Sequence, residues 1–129
     1  MAYADNKPRT VFAAGPQFHI TLTGAVYAGD LIGGSSGWVQ ADADAGTAIP
    51  AYLVALEDGE AGDTISATNM AVITSVTGAT ATNPVYCSGT AGETTETDPS
   101  NGDTQVVGVS LSATSILVAP GLYATPAVS

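Results

Sequence analysis

Residues 51–65 read AYLVALEDGEAGDTI. Tyr52 to Leu56 is apolar at every position, the pattern of a strand covered on both faces. Glu57-Asp58-Gly59 makes an acidic turn, Ala61-Gly62-Asp63 makes another, and Thr64 to Ala67 begins a second strand. A degenerate copy of this unit returns later in the chain. Gly37-Trp38-Val39-Gln40 precedes Gly92-Glu93-Thr94-Thr95 by 55 residues, and Val54-Ala55-Leu56 precedes Val109-Ser110-Leu111 by the same 55. A fixed offset linking strand, loop and strand suggests two pseudo-repeated β-units, about 29–66 and 83–118. Each alone exposes an apolar face; packed together they form a small β-barrel or β-sandwich with fewer open edges.

The flanking text has the same character. Gln17 to Thr23 alternates, with Phe18, Ile20 and Leu22 on one face and His19, Thr21 and Thr23 on the other. Gly33-Gly34-Ser35-Ser36-Gly37 is a hairpin loop returning through Trp38 to Ala41. Asp63 to Thr77 is free of Gly and Pro and could hold a helix, but its Thr, Ile, Val and Ser favour strand. Pro84 to Ser88 and Glu93 to Thr97 read as strands, and Asp98 to Gly102 as a loop. Thr104 to Ser112 is read as a strand with Val107, Val109 and Leu111 on one face. Ser115 to Val118 is a last short strand. The expected organisation is all-β: an extended N-terminal arm over 1–16, one β domain over 17–120, and a tail over 121–129. Pro8 and Pro16 oppose helix in the arm, which is either frayed or docked on a neighbour.

The chain has 129 residues, enough for one domain that buries roughly two-thirds of its unfolded surface. Only 11% of the residues are charged, and the net charge is −10. The two cations, Lys7 and Arg9, lie in the first ten residues, and every charged residue from 10 onward is an acid. A body without cations cannot neutralise phosphates, so nucleic acid and anionic membrane surfaces are excluded as partners of the folded part. No secretory leader and no apolar run of bilayer length is legible, so synthesis in the cytoplasm is expected. With Cys87 as the only cysteine, an internal disulfide and a Cys-based zinc site are both ruled out.

Little in the text points to chemistry. His19 is the single histidine and lies on the polar face of its strand without a Ser/Asp pairing in view, which makes it a surface or interface residue. Cys87 has no cation or helix start nearby and reads as an inert buried thiol. The carboxylates all sit in turns, which counts against a small carbohydrate-active enzyme. Asp42-x-Asp44 and Glu57-Asp58-x-Glu60-x-x-Asp63 offer oxygen ligands, but neither has the EF-hand spacing, and solvated turn acids are the plainer reading. The expectation is a protein that is not an enzyme, with no cofactor, no metal and no small-molecule substrate.

Several phrases nonetheless have a family texture: Gly29-Asp30-Leu31-Ile32, Gly37-Trp38-Val39, Val54-Ala55-Leu56-Glu57-Asp58-Gly59 with Ala61-Gly62-Asp63, Asn83-Pro84-Val85-Tyr86, and Gln105 to Thr114 followed by Ile116-Leu117. Over about residues 24–120 the chain resembles the small structural modules of tailed bacteriophages, above all head decoration (capsid cement) proteins. The resemblance implies a virion protein on the outer capsid surface, a homotrimer that bridges major capsid protein subunits and stabilises the lattice. Contacts are then expected from Lys7, Arg9, Val11 and Phe12 in the arm and from Leu122 and Tyr123 in the tail, with Lys7 and Arg9 meeting acidic capsid groups. On this reading, deleting residues 1–14 abolishes attachment and leaves the β fold intact. The alternative is a receptor- or glycan-binding knob of a head or tail fibre, for which an exposed cluster of Trp38 with Tyr27 or Tyr52 would speak.

Overall fold

Among the described residues no Asp, Glu, Lys or Arg occupies a strand of either large sheet, and Asp5 lies in the short N-terminal strand. The computed structural model describes residues 4–5, 9–34, 36–43, 49–97 and 105–120. In chain order the strands are β1 (Ala4–Asp5), β2 (Val11–Ala14), β3 (Gln17–Thr21), β4 (Leu31–Gly33), β5 (Val39–Gln40), β6 (Ala51–Ala55) and β7 (Thr64–Thr68). There follow β8 (Ala71–Ile73), β9 (Val76–Thr77), β10 (Pro84–Cys87), β11 (Thr94–Thr95), β12 (Val106–Ser112) and β13 (Ser115–Val118). Among the described residues there is no helix. The fold is all-β and sandwich-like: a six-stranded sheet ordered β11-β10-β12-β13-β8-β2 and a five-stranded sheet ordered β3-β7-β6-β4-β5. Among the described residues every pairing between these strands is antiparallel, and β1 pairs with β9. Of the barrel and the sandwich that the sequence left open, the sandwich is the one formed, since neither sheet closes on itself.

The two sheets repeat one strand order. In the five-stranded sheet the β4–β5 hairpin is followed by β6 beside β4 and β7 beside β6, with the earlier β3 outside β7. In the six-stranded sheet the β10–β11 hairpin is followed by β12 beside β10 and β13 beside β12, with the earlier β8 outside β13. The β4–β6 and β10–β12 ladders each carry a register shift, between Ile32 and Gly33 in one and between Val85 and Tyr86 in the other. Sequence correspondence is clearer upstream of the stretch first quoted. Leu22-Thr23-Gly24-Ala25 aligns with Val76-Thr77-Gly78-Ala79, and Leu31 aligns with Val85, all at an offset of 54. The hairpin of the second copy is one residue longer, so Val39 and Gln40 match Thr94 and Thr95 at 55. The ladders pair Leu31 with Val54 and Val85 with Gly108, so Val54 corresponds to Gly108 and not, as the sequence match suggests, to Val109. A slip of one residue moves a side chain to the opposite face.

That slip reaches the reading of β12. Val107 points inward at the register shift and is fully buried, whereas Val109 is half-buried and Leu111 exposed on the outer face. The three do not share one face, because the bulge inserts a residue between Val107 and the regular alternation.

The main core lies between the sheets. Leu31, Ala51 and Val54 of the five-stranded sheet meet Ala71, Ile73, Val85, Cys87, Val107, Ile116 and Val118 of the six-stranded one. A second cluster covers the other face of the five-stranded sheet: Leu22, Val26, Ile32, Ala55, Ile65 and Ala67, with Ile20, Trp38 and Leu53 against it. β6 therefore has apolar contacts on both faces, Val54 on one and Leu53 and Ala55 on the other. The curl that encloses the second cluster is held by a parallel bridge from Leu22 to Trp38 and by Val26 paired with Gly59. Gln105 joins the two halves: its Nε2 donates to the Ala51 carbonyl and its Oε1 accepts from the Ala51 N–H, both at 2.8 Å.

At the meeting of these parts sits a buried ion pair. Arg9 Nη1 donates to Asp30 Oδ1, with side chains 1% and 0% exposed. Asp30 Oδ2 accepts from the Tyr27 N–H at 2.9 Å and from Gln40 Nε2 at 2.8 Å, so the carboxylate is held by three elements. Two glycines with positive φ give it room. A Cβ on Gly29 would lie 2.6 Å from Arg9 Cδ, and one on Gly92 would lie 2.7 Å from Asp30 Cγ. Gly92 also donates to the Ala41 carbonyl and accepts from the Leu31 N–H, which pins the second unit's hairpin to the first unit.

Removing one partner of a buried pair leaves a charge in a poor solvent. Asp30→Asn is expected to lower stability by about 3–5 kcal/mol and Gly92→Ala by about 1–3 kcal/mol. Denaturant titration followed by circular dichroism would read both as a lower midpoint with an unchanged slope.

Candidate functional site

The six-stranded sheet presents an uncharged outer face. Its ladder sets Ala13 beside Val72, Val72 beside Leu117, Leu117 beside Val109, and Val109 beside Pro84. Directly paired residues share a face, so these five form one apolar row across five strands. Val72, Leu117 and Val109 are half-buried, and Ala13 and Pro84 are exposed. A second row, Val106-Tyr86-Thr95, runs alongside. Near the β2 end the row dips into a shallow apolar groove of about 110 Å³ between Ala13, Gly15, Met70, Val72 and Leu117. Leu111 and Met70 extend the apolar surface at its margins.

The edge of this face is β2. Phe12 is 74% exposed, the most exposed of the large apolar side chains described. Val11 is partly buried and packs against the main core. These two are the expected contact residues that the structure brings together, on one strand hydrogen-bonded to β8. Lys7, Leu122 and Tyr123 lie outside the described residues.

Arg9 is elsewhere than the sequence suggested. Its guanidinium is turned inward on Asp30 and is not presented to an acidic partner. The N-terminal segment is likewise not a detached arm where it is described, since β1 pairs with β9 and β2 with β8. Removing residues 1–14 would strip Asp30 of its cation and the six-stranded sheet of its edge. Such a truncation disturbs the fold, and point substitution at Phe12 is the cleaner probe of contact.

A second concave region lies over the β4–β5 hairpin. Gly33, Gly34, Ser36, Gly37, Trp38 and Tyr52 line a pocket of about 290 Å³. The hairpin backbone is packed too closely for side chains, because a Cβ on Gly33 would fall 1.8 Å from the Pro50 carbonyl oxygen. Trp38 is half-buried against the second core cluster, while Tyr52 is exposed. Tyr27 is exposed too but does not line this pocket.

The titratable side chains do structural work. Asp58 Oδ1 accepts from the Ala28 N–H, Asp63 Oδ2 from the Glu60 N–H, and Glu57 Oε2 from the Ser66 N–H, at 2.8–2.9 Å. The Asp63 contact closes its own turn, whereas those of Asp58 and Glu57 tie the turn to segments 30 and 9 residues away. Among the described residues no three His, Cys, Asp or Glu side chains group in a way that could hold a metal ion. His19 is exposed on β3, opposite Ser66 of β7. Cys87 is 1% exposed, and burial, reinforced by the charge of Asp42, pushes its thiol up to about 12.

No protein-family model matches this chain, and no curated protein matches it either.

The outer apolar row was missed in the sequence because the second apolar stripe of β8, β12 and β13 reads as core. Its signal was present: β12 is apolar at Val106, Val107, Val109 and Leu111, too many for one face of an alternating strand.

Cys87 gives a direct check of this packing. The native chain at pH 8 should leave a chromogenic disulfide reagent unreacted, and full reaction should follow only on adding denaturant. Because the folded thiol ionises later than the unfolded one, its contribution to stability is fully present below the ordinary value of 9.0 and is lost as pH rises from there towards about 12. A native thiol that titrates freely at pH 8 would contradict the burial.

Proposed function

We propose that the chain is a virion structural protein, a decoration or cement protein that binds the outside of a tailed-phage head and bridges major capsid protein subunits. The observation that carries this reading is the uncharged outer face of the six-stranded sheet, bordered by β2 with Phe12 exposed. An apolar row flanked by no charged strand residue is costly in water and gains from being covered. Its area is modest, so one contact is weak. Repetition over a lattice turns weak contacts into firm attachment. The family texture of residues 24–120 supplies the identity of the lattice. Such a role asks for no catalytic group, cofactor or small-molecule substrate, and places the protein on the outer capsid surface.

Purified chain added to expanded, undecorated heads should appear by cryo-electron microscopy as density on the outer shell. Leu117→Asp and Phe12→Asp, each checked for an intact fold by circular dichroism, should lower occupancy at least about tenfold, since burying an unpaired carboxylate costs several times the 1.4 kcal/mol that tenfold represents. Absence of wild-type density would overturn the function. Undiminished binding by both folded variants would overturn the contact face.

A second reading, a receptor- or glycan-binding knob, is favoured by one observation: Trp38 and Tyr52 line the same pocket beside a glycine-rich hairpin. Sugars stack on exposed aromatic rings. Trp38 is the only tryptophan in the chain, so its fluorescence reports on this pocket alone. Titration with methyl glycosides should shift the emission if the pocket takes a pyranose, and Tyr52→Ala should abolish the shift. A flat titration across hexoses and amino sugars would dismiss this reading.

A further inference from the structure

Among the described residues one that is not glycine has a positive φ: Thr82, at 73°. The left-handed region suits glycine and, less well, Asn and Asp; a β-branched residue there is an outlier. Such outliers persist where the surrounding structure fixes them, and they gather at functional sites.

The doubling of the fold shows what else this position can hold. In the first unit the Gly29 N–H donates to the Ala55 carbonyl, the Asp30 N–H to the Tyr27 carbonyl, and the Ala55 N–H to the Asp30 carbonyl. In the second the Thr82 N–H donates to the Ser110 carbonyl, the Asn83 N–H to the Thr80 carbonyl, and the Ser110 N–H to the Asn83 carbonyl. The turn is the same, and Thr82 stands in the place of Gly29, whose φ is 86°. The fold therefore accepts glycine here, yet the second unit carries one of the residues least suited to it. The turn is also held from the side, because Glu96 Oε2 accepts from the Thr80 N–H at 2.9 Å and from Ser110 Oγ at 2.5 Å.

The contacts within the chain do not account for the threonine. Its side chain is exposed, and among the described residues its hydroxyl makes no hydrogen bond. Its surroundings indicate the use. Thr82 lies two residues before Pro84, the end of the apolar row on the outer face of the six-stranded sheet. Residues 64–92, which hold this turn together with β8 and β10, contain no Asp, Glu, Lys or Arg. The apolar row attracts without direction. A hydroxyl with its donor and acceptors unused, fixed beside that row, adds direction.

We propose that Thr82 is a specificity-determining contact with the capsid subunit, held in the left-handed region to extend the contact face past Pro84. This rests on the decoration reading and deepens it. Wild type, Thr82→Gly and Thr82→Ala are compared in two measurements. In denaturant titration Thr82→Gly should show a higher midpoint with an unchanged slope, since relief of the backbone outweighs the added freedom of the unfolded chain. On expanded, undecorated heads both variants should bind about fivefold more weakly than wild type, the loss expected for one neutral hydrogen bond and a methyl contact. Absence of wild-type binding would overturn the decoration reading and this proposal with it. Wild-type binding matched by both variants would overturn the role of Thr82 alone. A lower midpoint for Thr82→Gly would show that the chain itself needs the threonine, and would overturn the proposal too. Sedimentation equilibrium of the free chain completes the test: self-association that Thr82→Gly abolishes would place the contact between copies, against the proposal.

Discussion

The pairing of Arg9 with Asp30 is the constraint around which the rest is arranged. It draws the N-terminal segment into the body, fixes the turn before β4, and sets the space that Gly29 and Gly92 must leave empty. A buried ion pair is a poor source of net stability, since desolvation consumes most of the attraction. What it provides is uniqueness. Asp30 accepts from Tyr27, Gln40 and Arg9 together, and only one mutual placement of the N-terminus, the first hairpin and the second hairpin satisfies all of them. In a core otherwise built of small and medium aliphatic side chains, whose shapes discriminate weakly between registers, one polar knot supplies the discrimination. Gln105 plays the same part on a smaller scale, closing a strand-like pair of hydrogen bonds with Ala51 across the two halves.

Much of the architecture was legible because strand alternation and turn chemistry act locally. The apolar run at Tyr52–Leu56, the acidic glycine turns and the Thr-rich segments each dictate strand or turn from a few adjacent residues. The all-β class follows from them directly. The doubling was legible only in part, because its clearest sequence copy, Leu22–Ala25 against Val76–Ala79, falls outside the acidic unit and runs at an offset one residue shorter. Where a bulge intervenes, simple alternation fails, and Val107 was assigned to the wrong companions for that reason.

The candidate contact surface was harder to see. Phe12 and Val11 stood out as apolar residues near a terminus, and both lie on the outermost strand of the larger sheet. Arg9 gave the opposite lesson. Beside Lys7 and Pro8 it reads as part of a polar arm, and nothing near it in sequence reveals a counterion 21 residues away. The apolar outer row was hidden for a different reason. Val72, Val109 and Leu117 are the residue types expected of an interior, and sequence alone does not tell a strand covered by its own chain from one awaiting cover by another.

Cys87 closes the account of the interior with a point about longevity. Its sulfur is sealed between the sheets, and it is the chain's sole thiol. However densely native copies are crowded, and however long they stand in air, they have no route to covalent cross-links through sulfur. Any assembly they build holds together without disulfide links between its members.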